Sequence, residues 1–321
     1  MKIKKIIFFG TTDFSVETLR VIIEEKFNVV AVVTVPDRPA GRGLKMRESE
    51  VKQFAKNLDI PVLQPTDLNS TVFHEQLKAL KPDIQIVVAF RKLPSEVFNI
   101  PPIGTINLHA SLLPAYRGAA PINWAIINGE KETGVTTFFI NDKIDEGKLL
   151  LQEKIEIKKT DTAGILFDKL KLSGAKLIAN TLHMISENLL ISVVQEENHY
   201  LLSKKAPKIQ KSDCKINWDK GGLEICYLIR GLSPYPCAFT EFISPDGKRY
   251  YVKIFKAEFI PDISDKQTGS IITDNKTFLS VVVNDGLVSL LNIQLMGKVN
   301  MEISAFLRGF QINSEFTVSV V

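Results

Sequence analysis

Short apolar runs alternate with amphipathic stretches through the first half of the chain. The runs are rich in Val, Ile and Phe, which is typical of strands buried on both faces of a parallel sheet, and the stretches between them repeat apolar residues at helical spacing. The predicted strands cover 5–10, 29–35, 84–90, 104–110, 134–140 and 148–157, and the predicted helices cover 15–26, 49–58, 119–129 and 161–190. This β-α-β order predicts a doubly wound, mostly parallel α/β sheet whose ligands bind beyond the carboxyl ends of its strands.

The pattern changes after residue 190. A connector ends in the basic residues Lys204, Lys205 and Lys208, and several short strands separated by turn signals follow it. Asn-Asp-Gly at 284–286, between two apolar runs, is a hairpin signal. Short strands of this kind predict a small barrel or sandwich. We therefore expect a first domain over 1–190, a basic linker over 191–208 and a second domain over 209–321.

The composition restricts the class of protein only loosely. The chain is 45% hydrophobic and 24% charged with a net charge of +4, so it is an ordinary globular protein that permits, without demanding, a nucleic-acid partner. Its three cysteines are widely spaced and form no C-x-x-C, which predicts reduced core thiols, a cytoplasmic protein and no metal site. No apolar run approaches a membrane span. A single glycine in the 10–14 turn is not a phosphate cradle, so a nucleotide cofactor is poorly supported.

Asn107 and His109 lie two residues apart at the carboxyl end of the fourth predicted strand. Side chains at this spacing in a strand point the same way, here toward the ligand crevice. An amide donates hydrogen bonds without titrating, and an imidazole can donate, accept or change charge near neutral pH. Asp145, in the acidic turn after the fifth strand, supplies a carboxylate that could fix the imidazole tautomer. The trio suits a reaction that passes through a tetrahedral oxyanion.

Each of these residues also has a purely structural interpretation. A lone histidine at a strand end is more often a hydrogen-bonded structural residue. Asp145 could be a turn residue before Gly147. The loop after the second strand carries four cations and no acid between residues 38 and 47, and basic loops are usually just solvated.

The residues around His109 decide between these interpretations. Residues 107–129 have the sequence NLHASLLPAYRGAAPINWAIING, and ETGVTTFFI (132–140) and IDEG (144–147) follow. Together they resemble the hallmark of the folate-dependent formyltransferases. VPDRPAGRG (35–43) is similar to a loop that contacts tRNA in one branch of that family, and YLLSKKAPKI (200–209) is similar to the start of its C-terminal domain. The likeness runs nearly end to end. It implies a Rossmann-like formyltransferase catalytic domain over 1–190, followed after the linker by an OB-like β-barrel over 209–321 that binds tRNA.

This resemblance implies a reaction and the residues that serve it. Asn107, His109 and Asp145 would be the catalytic trio, 10-formyltetrahydrofolate the cosubstrate, and the α-amine of methionine carried by initiator tRNA the nucleophile. Direct acyl transfer of this kind needs no metal and no covalent intermediate, and we expect a monomer. The residues implied to bind folate are Phe90, Arg91, Lys92, Leu93, Ser111, Leu112, Leu113 and Pro114. The residues implied to bind tRNA are Arg38, Arg42, Lys45, Arg47, Lys204, Lys205 and Lys208.

The sequence also departs from the family pattern, and rival functions stay open. Thr12 stands where a proline is usual, Phe90-Arg91 replaces an aromatic-glycine pair in a shorter loop, and Glu146 adds a second carboxylate beside Asp145. One rival is formyl transfer to an amino sugar nucleotide, which the basic loop and linker disfavour. Another is formyl transfer to glycinamide ribonucleotide, usually done by a shorter chain. The third is a non-catalytic RNA-binding protein, which the intact trio disfavours.

Overall fold

A computed structural model describes residues 3–40, 45–195, 198–261, 266–313 and 315–319 of the chain. The chain divides into two compact units that interleave along the sequence. The first unit comprises Met1–Pro121, Glu132–Glu156 and Phe167–Lys205, and the second comprises Ile122–Lys131, Ile157–Leu166 and Ala206–Val321. The contiguous division into a catalytic domain, a basic linker and a tRNA-binding domain stays a prediction.

The first unit is built on a twisted sheet of mixed direction. The strands of this unit are β1 (Ile6–Gly10), β2 (Val29–Val33), β3 (Arg38–Ala40), β4 (Lys45–Arg47), β5 (Val62–Leu63), β6 (Ile84–Val88), β7 (Gly104–His109), β8 (Arg117–Gly118), β9 (Glu132–Phe139) and β10 (Leu149–Glu156). Seven of them form the main sheet. The main sheet has the order β10-β9-β7-β6-β1-β2-β5. From β7 to β5 every neighbouring pair is parallel, whereas β9 runs antiparallel to both β7 and β10. The predicted doubly wound, mostly parallel sheet is confirmed.

Helices connect the strands and continue through the chain. They are α1 (Asp13–Glu24), α2 (Glu50–Lys56), α3 (Thr71–Leu80), α4 (Ser95–Phe98), α5 (Pro121–Ile127), α6 (Ala163–Ser186), α7 (His199–Ser203), α8 (Gly222–Leu232) and α9 (Ile303–Gly309). The predicted cap of α2 is confirmed, because the Ser49 hydroxyl accepts a hydrogen bond from the Lys52 amide at 3.1 Å. Among the described residues, none of these helices is both long enough and apolar enough to cross a bilayer.

Parallel pairing brings the carboxyl ends of β1, β6 and β7 to one edge of the sheet. At that edge the Ser15 hydroxyl of α1 donates to the Val88 carbonyl at 2.7 Å. A Cβ at Gly10 would lie 2.6 Å from the Ser15 Cβ. The glycine after the first strand therefore lets the start of α1 pack tightly against β1, and this packing accounts for its presence without a phosphate ligand.

The second unit contains an antiparallel sheet. The remaining strands are β11 (Lys205–Ala206), β12 (Ala238–Ile243), β13 (Arg249–Pro261), β14 (Ile271–Thr273), β15 (Leu279–Val283), β16 (Gly286–Leu295), β17 (Met301–Glu302) and β18 (Thr317–Val318). The sheet has the order β14-β15-β16-β13-β12-β18, and β17 pairs with β16. The Val318 amide donates to the Gly269 carbonyl at 2.9 Å, which joins the last strand to the chain just before β14. The sheet is therefore a nearly closed barrel, and the predicted β-barrel is confirmed.

The barrel core also holds a helix that the strand pattern did not predict. Ile225, Ile229 and Leu232 of α8 pack into the same apolar cluster as the fully buried Trp218. The Trp218 indole donates to the Thr240 hydroxyl at 2.9 Å, so burial leaves its N–H satisfied. The apolar residues of α8 span only about three helical turns among short strand-like segments. Their helical spacing was therefore not recognised in the sequence.

Candidate active site

Strand β7 places Asn107 and His109 on one face at the carboxyl edge of the first unit's sheet. In register, Asn107 lies between Val87 of β6 and Phe138 of β9, and His109 lies opposite Thr136. The His109 side chain is buried, whereas Asn107 is partly exposed. The side-chain amide of Asn107 makes no hydrogen bond to another described residue, so its two donors are available to a ligand.

The imidazole of His109 is held by a backbone carbonyl. Its Nε2 lies 2.9 Å from the Tyr116 oxygen. A carbonyl can only accept, so Nε2 carries the hydrogen and donates it. Tyr116 is itself in the left-handed region, with φ +59°, and its amide donates to the Lys204 carbonyl at 2.6 Å. The loop after β7 therefore fixes both the plane of the ring and the nitrogen that is protonated.

Asp145 lies next to the other ring nitrogen. Its Oδ2 is 3.8 Å from His109 Nδ1, an ion-pair distance that is too long for a hydrogen bond. The same oxygen accepts a hydrogen bond from the Gly118 amide at 2.9 Å. Asp145 adopts a left-handed conformation, with φ +56°, in the turn between β9 and β10. The structure thus brings all three predicted catalytic residues together, with the carboxylate anchored by a backbone amide.

The second carboxylate of this turn is directed to cations. Glu146 Oε1 lies 3.2 Å from Arg117 Nη1, and Glu146 Oε2 lies 3.6 Å from Lys143 Nζ. Both contacts are part-exposed ion pairs, which contribute little to stability individually. The departure at Glu146 therefore adds a charge that Arg117 partly balances.

Hydrogen bonds tie the segment Ser111–Pro114, which the resemblance assigns to folate, to β9 and β10. The Thr136 hydroxyl donates to the Ser111 carbonyl at 2.6 Å, and the Leu113 amide donates to that hydroxyl at 3.2 Å. Gln152 donates from Nε2 to the Leu113 carbonyl at 2.9 Å. Leu113 and Pro114 are buried and Leu112 is partly exposed. The segment is thus a rigid wall beside His109.

The other residues predicted to bind folate follow β6, and three of them, Arg91, Lys92 and Leu93, line a pocket of about 340 Å³. Lys92 is exposed there, Leu93 belongs to the buried core beneath, and the Phe90 ring packs edge-on against Phe9 at 5.6 Å. The residues that line the pocket are Thr66, Asp67, Leu68, Asn69, Arg91, Lys92, Leu93 and Pro94. Phe90 and Ser111–Pro114 lie outside this lining, so the pocket gathers three of the eight residues predicted to bind folate.

Arg91, the residue that departs from the family pattern, folds back onto the chain after β5. Its guanidinium donates to the Thr66 carbonyl at 3.1 Å and to the Pro65 carbonyl. Burial lowers the pKa of Arg91, and the nearby positive charge of Arg38 lowers it further. Its Nε is buried without a partner among the described residues. Arg91 therefore anchors the loop after β6 to the segment after β5, and its guanidinium does not extend freely over the pocket.

The basic loop forms a hairpin of β3 and β4. Arg38 is directly opposite Arg47 in the antiparallel register, and Ala40 is opposite Lys45. Like charges directly across a strand pair repel unless an anion lies between them. An ion pair between Arg47 and Glu50 at 2.8 Å offsets part of the repulsion between Arg38 and Arg47. Arg42 lies outside the described residues.

The linker lysines differ from one another in environment. Lys204 stacks its ammonium over the Tyr200 ring, 4.6 Å from the centroid. Lys205 and Lys208 are exposed.

Within the described chain, no group of three or more His, Cys, Asp or Glu is placed to hold a metal ion.

Three residues that the motif analysis left without a role also shape this site. Tyr116 supplies the carbonyl that holds His109, and Arg117 reaches the Asp145 turn. Gln195, from the connector after α6, contacts the same turn. Tyr116 and Arg117 lie inside the quoted motif and could have been suspected, whereas a glutamine in a polar connector carries no such signal.

A strand-end amide, a carbonyl-bound imidazole and a neighbouring carboxylate can stabilise a developing oxyanion and move a proton. The fold and this site agree with a match to known families. The chain belongs to the formyl transferase family: the formyl transferase model matches residues 4–182, and the model of the formyl transferase C-terminal domain matches residues 208–311.

Relatives within this family are similar over nearly the whole chain. The methionyl-tRNA formyltransferase of Bacteroides fragilis is 47% identical over 318 residues, covering 99% of this chain and 98% of its own. That of Parabacteroides distasonis is 48% identical over 317 residues, covering 98% of each. The fold is shared with the N-formyltransferase from Helicobacter canadensis in complex with folinic acid and dTDP-3-aminofucose, at a TM-score of 0.64 and 22% identity, covering 90% of this chain and 98% of that one.

Proposed function

We propose that the protein transfers the formyl group of 10-formyltetrahydrofolate to the α-amine of methionyl-tRNA for translation initiation. The observation that carries the proposal is the 47–48% identity to methionyl-tRNA formyltransferases over nearly the whole chain. The placement of Asn107, His109 and Asp145 at one sheet edge supports the chemistry. Buried free thiols in the second unit suit a reducing cytoplasm.

The catalytic step is direct acyl transfer. The α-amine titrates at about pH 8, so a neutral fraction of the nucleophile exists at cytoplasmic pH. It attacks the formyl carbon, the new N–C bond forms, and the carbonyl oxygen becomes an oxyanion. Asn107, with free donors at the strand end, stabilises that oxyanion, and one such donor contributes about 3 kcal/mol in comparable sites. The C–N10 bond then breaks, and N10 leaves with a proton.

His109 is assigned to the proton. Its Nε2 hydrogen is engaged with the Tyr116 carbonyl, so Nδ1 is the nitrogen left to accept a proton from the attacking amine and pass it to N10. The Asp145 carboxylate, 3.8 Å from Nδ1, stabilises the imidazolium that forms in between. This role follows from the geometry of the described loop and differs from a direct hydrogen bond between His109 and the oxyanion.

Folate is assigned to the edge formed by the loops after β6 and β7. Lys92 at the pocket beside Arg91 offers a cation to the carboxylates of the folate tail, and Ser111–Pro114 offers a rigid wall near His109. The tRNA is assigned to the basic-loop residues Arg38, Arg42, Lys45 and Arg47 and to Lys204, Lys205 and Lys208. The opposed pair Arg38 and Arg47 supports this, because a phosphate between them would relieve their repulsion.

The test is formylation of methionyl-tRNA with 10-formyltetrahydrofolate by the wild type and two variants. We expect His109→Ala and Asn107→Ala each to lower kcat by about a hundredfold or more with the fold intact. His199→Ala, which removes an exposed histidine, is the matched control and should retain wild-type turnover.

The assay is repeated with an amino sugar nucleotide as acceptor. Faster transfer to the sugar than to methionyl-tRNA would overturn the proposed acceptor. Near wild-type turnover in folded His109→Ala or Asn107→Ala would overturn the assignment of the site.

A further inference from the structure

The connector after α6 runs alongside the start of β10. Leu149 and Val193 form an antiparallel bridge, with N–H···O distances of 2.7 and 2.9 Å in the two directions. In this antiparallel register Gln195, two residues beyond Val193, lies opposite Gly147, two residues before Leu149. The bridge therefore brings Gln195 over Gly147, at the end of the turn that carries Asp145.

Gln195 uses all of its hydrogen-bonding capacity there. Its side chain is buried, and its Nε2 donates to the Asp145 carbonyl at 2.8 Å and to the Gly147 carbonyl at 2.9 Å. Its Oε1 accepts from Arg117 Nε at 3.2 Å and from Arg117 Nη2 at 2.6 Å. A side-chain amide has two donors and two acceptor sites, so this one is fully satisfied.

These bonds close a ring around the catalytic carboxylate. Arg117 bonds to Gln195, Gln195 bonds to the Asp145 carbonyl, and the amide of Gly118, next to Arg117 in the chain, bonds to the Asp145 carboxylate at 2.9 Å. Asp145 is thus held at its backbone and at its side chain. A non-glycine residue at φ +56° persists only where its surroundings over-determine it, and this ring does so.

We propose that Gln195 is a positioning residue that acts through Asp145. The proposal rests on the proposed function, because it assigns Gln195 a role in that reaction. Through the Asp145 and Gly147 carbonyls, Gln195 sets the turn that keeps the carboxylate beside His109 Nδ1. The connector leading to the basic linker then forms part of the catalytic site of the first unit.

Two substitutions separate the functions of the side chain. Gln195→Leu removes all four hydrogen bonds at similar volume. Gln195→Glu keeps an acceptor for Arg117 but turns a carboxylate toward the two carbonyl oxygens of the turn. If Gln195 served only to anchor Arg117, Gln195→Glu would retain activity. Val194→Ala, at the exposed neighbouring position, is the matched control.

We expect Gln195→Leu and Gln195→Glu each to lower kcat by about 10- to 100-fold, because displacing a catalytic group by about 1 Å costs that much. KM for folate and for tRNA should stay within about twofold. In an Asp145→Asn background the further loss should be less than about twofold, because the residue through which Gln195 acts has already been changed. Multiplicative losses, or a Gln195→Glu variant with wild-type kcat, would overturn the proposal.

Hydrogen exchange provides a readout that does not depend on turnover. Amides of residues 141–148 should exchange at least about tenfold faster in Gln195→Leu and at wild-type rates in Val194→Ala. Unchanged exchange would show that Gln195 does not hold the turn. A wild type that fails to formylate methionyl-tRNA would count against the proposed function instead, and the exchange result would still decide whether Gln195 positions Asp145.

Discussion

At the scale of single residues, His109 keeps one ring nitrogen on a backbone carbonyl, and this determines which nitrogen can exchange protons. The Tyr116 carbonyl holds the Nε2 hydrogen, so protonation of the ring can change only at Nδ1, beside Asp145. A hydrogen bond to a carbonyl orients an imidazole without adding a charge. In the proposed reaction the carboxylate acts on the ring by proximity, and hydrogen bonds from Gly118 and Gln195 hold the Asp145 turn.

A second residue-scale consequence concerns the buried thiols of the barrel. Burial raises the pKa of Cys226 from 9.0 to about 12, and that of Cys237 likewise to about 12. Well below pH 9 both thiols are neutral in the folded and unfolded states, so they contribute no pH dependence there. Between pH 9 and about pH 12 the unfolded thiols lose protons while the folded ones retain them, so the free energy of unfolding must fall as pH rises.

We expect this fall to reach about 1.4 kcal/mol per pH unit for each thiol. Urea unfolding of the wild type and of Cys226→Ala, followed from pH 8 to pH 11, measures it. The variant should show a shallower decline above pH 9, since one titrating thiol is gone. Parallel curves would show that Cys226 ionises as readily in the folded protein as in the unfolded chain.

At the scale of elements, the connection between β9 and β10 is tightly constrained at its glycine. A Cβ at Gly147 would lie 1.6 Å from the Phe139 carbonyl oxygen, which is backbone and cannot rotate away. The turn that carries Asp145 is therefore pressed against the end of β9. Any residue larger than glycine at position 147 would therefore force this backbone to shift.

Gly147→Ala should displace this turn. We expect a loss of about 1–3 kcal/mol in the free energy of unfolding and at least a tenfold loss of kcat, because the overpacked backbone has to move. Gly309→Ala is the control, since an added Cβ at the end of α9 meets no described atom within 4 Å. Thermal melts and formylation rates measure both variants, and equal behaviour of the two would contradict the argument.

The elements themselves could be predicted to very different degrees. Buried strands such as β1 and β6 were predicted within two residues at each end, because an uninterrupted apolar run has few alternatives. The hairpin β3–β4 and the helix α3 were not predicted. The hairpin is polar and three residues per strand, so its pairing is decided by the chain around it rather than by its own pattern.

At the scale of the whole molecule, the distribution of positive charge bears on which partner the protein binds. The net charge of +4 is modest, but Arg38 and Arg47 face each other on an exposed hairpin. Counterions released from phosphates make binding at such a surface strongly dependent on salt. The proposed binding of tRNA can therefore be tested without knowing the geometry of the complex.

We expect Arg38→Ala/Arg47→Ala to weaken tRNA binding and to flatten its salt dependence by about one unit for each phosphate that is no longer neutralised. Folate affinity should stay within about twofold. The charge-matched control is Lys78→Ala/Lys176→Ala, which removes two exposed lysines from α3 and α6 of the first unit. A salt titration of tRNA binding compares the three proteins. Identical slopes would remove the hairpin from the interface, and the rival acceptor, an amino sugar nucleotide, would gain support.

The sequence by itself determined the class of fold, the barrel that follows it and the three residues proposed for catalysis. Periodicity decides which stretches are buried, and Asn107 and His109 share a face because strands alternate. Only the tertiary structure decided how these side chains are held. The Tyr116 carbonyl, the Gly118 amide and Gln195 are brought to Asp145 and His109 by backbone turns and by a connector bridge. These interactions join positions up to 50 residues apart, and no local pattern encodes them because each depends on the path of the folded chain.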